Sequence, residues 1–463
     1  MQLPASFIAS IEKSKGFSKE AFEKVHKSGE QITSVRVNSK KIGNRLPIAI
    51  GMAIINNAPE RVLWSSNGFY LPQRPSFTLD PLFHAGTYYV QEASSMFLEE
   101  ALKQTVDLSQ SIKVLDLCAA PGGKSTLIQS VISNESLLVS NEVIKTRVSI
   151  LSENITKWGS SNVIVTNNDA KDFQRLPNYF DVIVVDAPCS GSGLFRKDRE
   201  AISEWSEQNV HLCSQRQQRI LADVLPALKE DGVLIYSTCS YSEEEDEQIA
   251  DWLIEELKVE SLMFKVDDSW GIIETQSEKN NAYGYRFYPD KVKGEGFFIA
   301  AFKKTAVESS EWREGKKRNK NEKLNAKEIE IIKPYLKNAA DFFFIKQKEE
   351  VLALPKVFEE DLLVVQNTLY IKKAGIKMGT IIRDELIPDH ELALSNIINP
   401  NCNAVEVDEA TALQYLRKKD IAVDTNHKGW ALIKYQQLPL GWIKILPNRI
   451  NNYYPKEWRI LNK

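Results

Sequence analysis

Residues 112–125 read IKVLDLCAAPGGKS, a short apolar run with an acidic residue inside it and a Gly-Gly turn after it, followed by TLIQSVIS with helical spacing. A strand that breaks at glycines and opens a helix is the first half of a strand–helix–strand unit. The pattern continues towards the C-terminus: LLVSNE, a helical KTRVSILSENITKWG, VIVTNND, YFDVIVVDAP, a helix near 207–229, and GVLIYSTCS. Apolar strands alternating with amphipathic helices between about 100 and 305 imply an α/β fold, a doubly wound and mostly parallel sheet. Such sheets bind ligands at the carboxyl ends of their strands, so the residues just after each strand are the candidates for chemistry.

Composition narrows the class. The chain has 463 residues, 43% hydrophobic and 26% charged, with 59 Lys+Arg against 62 Asp+Glu. Two to four domains are expected at this length. The balance excludes a disordered chain, a disulfide scaffold and a membrane protein. The cysteines, Cys118, Cys189, Cys213, Cys239 and Cys402, are odd in number and form no CxxC, which speaks against both a disulfide framework and a zinc site. No signal-peptide pattern and no apolar stretch of ~18 residues is visible, so a cytoplasmic protein with no membrane or metal partner is expected.

The net charge of −3 argues against a nucleic-acid partner, but it is an average. Residues 1–50 hold nine Lys/Arg against four Asp/Glu, and residues 417–463 hold ten against three. Local potential is what steers a polyanion, so RNA stays open as a partner of the two flanks. The basic C-terminal part carries Trp430, Tyr435, Trp442, Tyr453, Tyr454 and Trp458. These either stack on bases or pack a small β-rich module's own core. The acidic run SEEEDE at 242–247 reads as a solvated face, and the basic stretch at 311–323 as a linker.

Glycines 122 and 123 let backbone approach a ligand, and the helix they open offers free N–H groups to a carboxylate or phosphate. Neither a nucleotide-triphosphate loop nor the dinucleotide fingerprint is present, since position 118 is Cys. Glu142 ends the next strand, 19 residues after Gly123, where an acidic side chain commonly bonds ribose hydroxyls. A nucleoside with a small zwitterionic tail fits this better than a pyrophosphate, and S-adenosylmethionine has that form. Asp169, ending VIVTNND, is placed towards its adenine. Two further motifs follow strands of the same sheet: Asp186-Ala-Pro-Cys189-Ser-Gly-Ser-Gly193 and Ser237-Thr-Cys239-Ser-Tyr241. Two cysteines on the binding edge beside a methyl donor suit one reaction. A thiolate adding to carbon 6 of a pyrimidine makes carbon 5 nucleophilic enough to take a methyl.

DLCAAPGGKS, DAPCSGSG and STCSYSEEEDE resemble motifs I, IV and VI of the Sun (Nol/Nop/Sun) family of RNA 5-methylcytosine methyltransferases, as do HAGTYYVQEASSM at 84–96 and YGYRFYPDKVKGEGFFIAAFKK at 283–304. The tail GWIKILPNRINNYYPKEWR is similar to the C-terminal, PUA-like module of RsmF-type ribosomal RNA methyltransferases. The resemblance implies an RRM-like RNA-binding extension over 1–95, a Rossmann-like catalytic domain over 96–305, a linker and intermediate domain over 306–385, and a PUA-like RNA-binding domain over 386–463.

It also implies roles. Cys239 is the nucleophile and Cys189 assists elimination and release. Cys118, Ala119, Ala120, Pro121, Gly122, Gly123 and Lys124 form the cofactor loop. Glu142 is the ribose contact, Asp169 the adenine-side contact, and Asp186 lies between cofactor and base. Lys124 faces either the cofactor or the base, and Met96 is either core or part of the site. Cys213 and Cys402 match no motif and read as structural. The resemblance thus implies an enzyme acting as a monomer on 16S ribosomal RNA or the small subunit. An RNA-binding assembly factor and an exocyclic-nitrogen methyltransferase are the other readings, and neither needs the paired cysteines.

Overall fold

The computed structural model describes residues 3–43, 60–305 and 321–461. The stretch read as a linker lies, but for its last three residues, outside them. Near the N-terminus, β1 (Thr33–Val37) pairs antiparallel with both β2 (Gly68–Leu71) and β3 (Tyr88–Val90).

The central sheet is built as its sequence implies. Strands β4 (Lys113–Asp116), β5 (Leu137–Asn141), β6 (Val163–Thr166), β7 (Phe180–Asp186) and β8 (Leu228–Thr238) are parallel, in the spatial order β8-β7-β4-β5-β6. Antiparallel strands β9 (Val259–Leu262), β10 (Ile273–Gln276), β11 (Tyr283–Phe287) and β12 (Phe297–Lys304) extend it beyond β8. Both faces are covered, which is why the strands read as continuous apolar runs. Leu115, Val139, Ile164, Ile183 and Leu234 pack on one side, and Val114, Leu138, Val163, Val182 and Ile235 on the other. The first strand, β4, lies between β5 and β7, so the chain switches direction across the sheet there and opens a crevice at the carboxyl edge.

Two expectations are corrected and two open readings are decided. The helix read at 207–229 is Glu207–Val224, because Pro226 cannot continue it; a short 3-10 turn leads straight into β8. The acidic run is no solvated face: Glu245 and Asp246 are fully buried and Glu247 nearly so. Trp430 and Trp442 pack the core of the C-terminal part and cannot stack on RNA bases; Trp442 also donates its indole N–H to Asp389 O at 2.9 Å. Met96 likewise lies in the core beneath the N-terminal sheet.

Residues 321–388 form a second antiparallel sheet, β13 (Glu322–Lys323), β14 (Phe342–Gln347), β15 (Glu350–Pro355), β17 (Ile376–Ile382) and β18 (Glu385–Pro388). Between β15 and β17, β16 (Ile371–Ala374) leaves that sheet and pairs antiparallel with β6, closing the central sheet's far edge. Phe343, Leu354, Leu362 and Ala374 share one core with the central strands, so this segment is knitted into the central fold. The last sheet, β19 (Ala404–Glu406), β20 (Gly429–Tyr435), β21 (Leu438–Leu446) and β22 (Arg449–Asn452), is the β-rich C-terminal module. Among the described residues, no helix is long and apolar enough to cross a membrane.

Candidate active site

Strands β7 and β8 run side by side with Asp186 opposite Ser237, so the loops that follow them leave the same edge of the sheet. That register brings Cys189 and Cys239 together: their Sγ atoms are 3.0 Å apart and both are free thiols, half-buried. The hydrogen bond to Cys239, with burial, pushes the Cys189 thiol well up. Asp186 accepts from Ser237 Oγ at 2.9 Å and pairs with Lys124 Nζ at 2.8 Å. Lys124 therefore turns towards the cysteine loops, across the ring of Phe297. The loop after Cys189 closes against Cys239 through the Gly193 N–H, which donates to Cys239 O at 2.7 Å. This needs glycine: a Cβ on Gly193 would lie 2.6 Å from Gly296 O and 2.7 Å from Cys239 O.

The buried acidic run backs this edge. Glu245 receives Ser190, Ser240 and Gln217, the first two being the residues after the two cysteines. Thr238 Oγ1 donates to Asp246 at 2.6 Å. Arg286, itself buried, donates its Nε to Glu247 at 2.7 Å, forms a second bond to the same carboxylate, and lies 3.2 Å from Asp246. Burial works against the charge of Glu247, and Arg286 still brings its pKa below the usual carboxylate value.

The second half of the site is the loop from Cys118 to Lys124 at the switch between β4 and β7. Gly122, at φ 117°, caps helix Gly123–Val131, whose first N–H groups have no side-chain cap. The loop's carbonyls are held from outside: Arg147 donates to Ala120 O at 2.6 Å and Asn154 to Pro121 O at 2.8 Å. Arg36, from β1, grips the same helix, bonding Thr126 Oγ1 at 2.6 Å and Ser130 Oγ at 2.8 Å over the face of Trp158. Glu142 is buried and accepts the Ile144 N–H at 2.9 Å, with Arg147 3.5 Å away. Asp169 caps the 3-10 turn Ala170–Arg175, accepting the Lys171 N–H at 3.2 Å. Burial pushes the Cys118 thiol up, away from reactivity. Cys213 is buried in helix Glu207–Val224, and Cys402 is half-buried against the C-terminal core.

These residues fit S-adenosylmethionine. Asp116 Oδ1, at the end of β4, is buried with no hydrogen-bond partner, while Oδ2 accepts from Ser125 at 2.6 Å. Burial raises its pKa to about 7, with Asp186 and Glu142 adding to the rise and Ser125 and Lys124 opposing it. An orphaned carboxylate oxygen beside two further acids suits a cationic ligand, and the open helix start suits that ligand's carboxylate.

Comparison with known proteins agrees. A family model described as 16S rRNA methyltransferase RsmB/F matches residues 103–303, the N-terminal domain of RsmF matches 3–93, and the RsmF PUA domain matches 402–460. The ribosomal RNA small subunit methyltransferase F of Aeromonas salmonicida (strain A449) is 31% identical over 441 residues, covering 92% of this chain and 90% of its own. The chain belongs to the RsmF family. The same-named protein of Vibrio parahaemolyticus serotype O3:K6 is 32% identical over 86% of this chain and 85% of its own. A methyltransferase homolog protein from Pyrococcus horikoshii, 28% identical with TM-score 0.52, matches 65% of this chain and 100% of its own. NSun6 from the same organism, solved with SFG, is 20% identical with TM-score 0.53 over 66% and 99%, a likeness of fold. As a member of the RsmF family, the protein is an S-adenosylmethionine-dependent methyltransferase with a Rossmann-like fold and a PUA domain.

Sequence reasoning singled out the cysteine loops and the cofactor loop but missed their support. Glu245 and Arg286 lie inside quoted motif stretches but carry no role there, one in a run of charge and the other in a strand, and Gln217 lies in a polar helix outside any motif. The one available signal was the position of SEEEDE directly after the second cysteine motif.

Proposed function

We propose that the protein transfers a methyl group to carbon 5 of cytosine in 16S ribosomal RNA, with Cys239 as nucleophile and Cys189 assisting release. The observation that carries this is the pair of thiols 3.0 Å apart beside the Lys124–Asp186 pair, since methylation of an exocyclic nitrogen needs neither thiol. The ribosomal substrate is supported by the names of the relatives and by the PUA match at 402–460. The bound cofactor would supply an electrophilic methyl, keeping the electron pair of its methyl–sulfur bond and leaving as a neutral thioether.

Cys239 Sγ, as thiolate, forms a bond to carbon 6 of the base, and the electron pair of the 5,6 double bond moves to carbon 5, which takes the methyl. Asp186, fixed by Ser237 and Lys124, relays a proton from Lys124 to nitrogen 3 as charge builds on the ring, then accepts from that N–H and stabilises the adduct. The S–C6 bond then breaks, its electron pair leaving with Cys239 Sγ, which takes the proton of the Cys189 thiol 3.0 Å away; the Cys189 thiolate so formed takes the proton from carbon 5, whose electron pair restores the double bond. Cys189 thus carries a proton between carbon 5 and Cys239, a step its 3.0 Å separation from Cys239 Sγ allows. The target base leaves its stack to reach the edge. The reading of 1–95, 96–305 and 386–463 as separate parts is supported by the three separate family matches, which leave 306–385 uncovered.

Cys239→Ala is expected to abolish tritium transfer from the cofactor to RNA. Cys189→Ser is expected to allow attack and hinder release, so that a covalent protein–RNA band builds up on a denaturing gel. An adduct that survives Cys239→Ala and needs Cys189 would reverse the assignment. Bisulfite sequencing of 16S ribosomal RNA from cells with and without the protein identifies the cytosine.

A further inference from the structure

One buried carboxylate that takes no part in the reaction steps holds both cysteine loops. Glu245 Oε1 accepts the Ser190 N–H at 2.8 Å and Gln217 Nε2 at 3.1 Å. Its Oε2 accepts the hydroxyls of Ser190 at 2.5 Å and Ser240 at 2.7 Å. A carboxylate offers about four acceptor sites, so all of them are filled. The acceptor is itself anchored: Tyr236 OH donates to Glu245 O at 2.7 Å, and Gln217 reaches on to Pro188 O at 3.1 Å. Ser190 and Ser240 each follow a cysteine, and their hydroxyls are 3.3 Å apart, echoing the 3.0 Å between the thiols.

We propose that Glu245 is a positioning residue: by binding the residue after each cysteine, it sets the spacing of Cys189 and Cys239 and with it the balance between attack on the base and release of the product. It acts through the serines and touches neither base nor cofactor. A carboxylate suits the place because no neutral side chain accepts four hydrogen bonds there. The inference rests on the roles given above to Cys239 and Cys189.

The test reads the thiol spacing without the reaction. Phenylarsine oxide condenses with two close thiols, forming two As–S bonds and releasing one water. Wild-type protein is expected to bind one equivalent at Cys189 and Cys239. Glu245→Gln keeps the volume and one acceptor oxygen, and should slow this chelation about 10-fold; Glu245→Ala should slow it about 10²-fold, the scale of a small misplacement of reacting groups. Iodoacetamide should still alkylate each cysteine singly, and Glu245→Gln should melt like wild type. Should Glu245→Ala fail to fold, Glu245→Gln and Ser240→Ala make the same comparison. Unchanged chelation in the folded variants would overturn the proposal. A second readout is the ratio of covalent RNA adduct to methylated product. It should rise in Glu245→Gln as in Cys189→Ser, whereas a merely structural loss lowers adduct and product together. Slowed chelation with an unchanged ratio would overturn the reading of Cys189 as the releasing group and leave Glu245 as the spacer.

Discussion

The edge around Cys189 and Cys239 and the junction where the C-terminal module meets the rest of the chain are both buried, and both come from sequence that looks like surface. They are held together by opposite means. At the cysteine edge the side chains are charged and matched, with Glu245 receiving four donors and Arg286 lying between Asp246 and Glu247. At the junction most of the packed groups are uncharged rings, with Lys157 over the ring of Trp458. His390 is buried, with the rings of Tyr454 and Trp458 edge-on to it at 5.2 and 5.1 Å, and neither of its ring nitrogens has a hydrogen-bond partner. His84 Nε2 donates to Thr78 O at 2.9 Å, with Tyr454 OH 3.4 Å from its Nδ1. Packing tolerates many arrangements, whereas a matched polar network has one geometry. The network stands where two sulfur atoms must meet, and the packing stands where domains need only adhere.

Breaking each device should therefore give different signatures. The largest effect is expected at Arg286. Arg286→Met leaves Asp246 and Glu247 buried without their cation, a loss of about 3–5 kcal/mol. It should appear in urea unfolding as a lower midpoint, together with loss of methyl transfer. A variant with wild-type stability would mean that the two acids are held by their other partners, Thr238 and Thr275.

The junction should answer to acid instead. Burial, with Lys157 nearby, holds His84 down at about 4 and His390 down at about 3. Free histidines in the unfolded chain take up protons near pH 6.5, while the folded ones stay neutral. Stability from these groups is therefore complete above pH 6.5 and is lost as pH falls towards 4 and then 3. The expected slope is about 1.4 kcal/mol per pH unit for each histidine. His390→Gln should remove one such contribution to the acid slope while leaving phenylarsine oxide chelation at pH 7 unchanged. An unaltered slope in His390→Gln would show that acid unfolding begins elsewhere.

The same contrast explains what the sequence revealed. The parallel sheet was legible because strands covered on both faces are uniformly apolar and their helices are amphipathic, and the two cysteine loops were legible because they follow such strands. Glu245 was hidden because charge runs are usually solvated, and only the three-dimensional register of β7 on β8 places two serines over it. Trp430 and Trp442 were ambiguous because a small sheet needs aromatic bulk for its core as much as an RNA site needs it for stacking. Strand β16 was invisible, since Ile371–Ala374 has neither the length nor the pattern of a strand belonging to a distant sheet.

With Trp430 and Trp442 inside the module, the grip on RNA falls to the exposed Tyr453 and to surface cations. Arg417, Lys418, Lys419, Lys456 and Arg459 line one hollow of the C-terminal module, and Lys419, Lys456 and Arg459 are exposed. Each phosphate contact made there would release about one counterion. Lys456→Ala and Arg459→Ala should each lower the slope of log affinity against log salt by about 1, weaken binding to all RNA sequences alike, and leave the melting temperature and the thiol spacing untouched. Slopes equal to wild type in both variants would move the RNA path off this hollow and on to the N-terminal flank, whose basic excess is the other place a polyanion is attracted. This smallest effect also separates the two regions most cleanly, because it changes affinity without disturbing either the charged network or the packed junction.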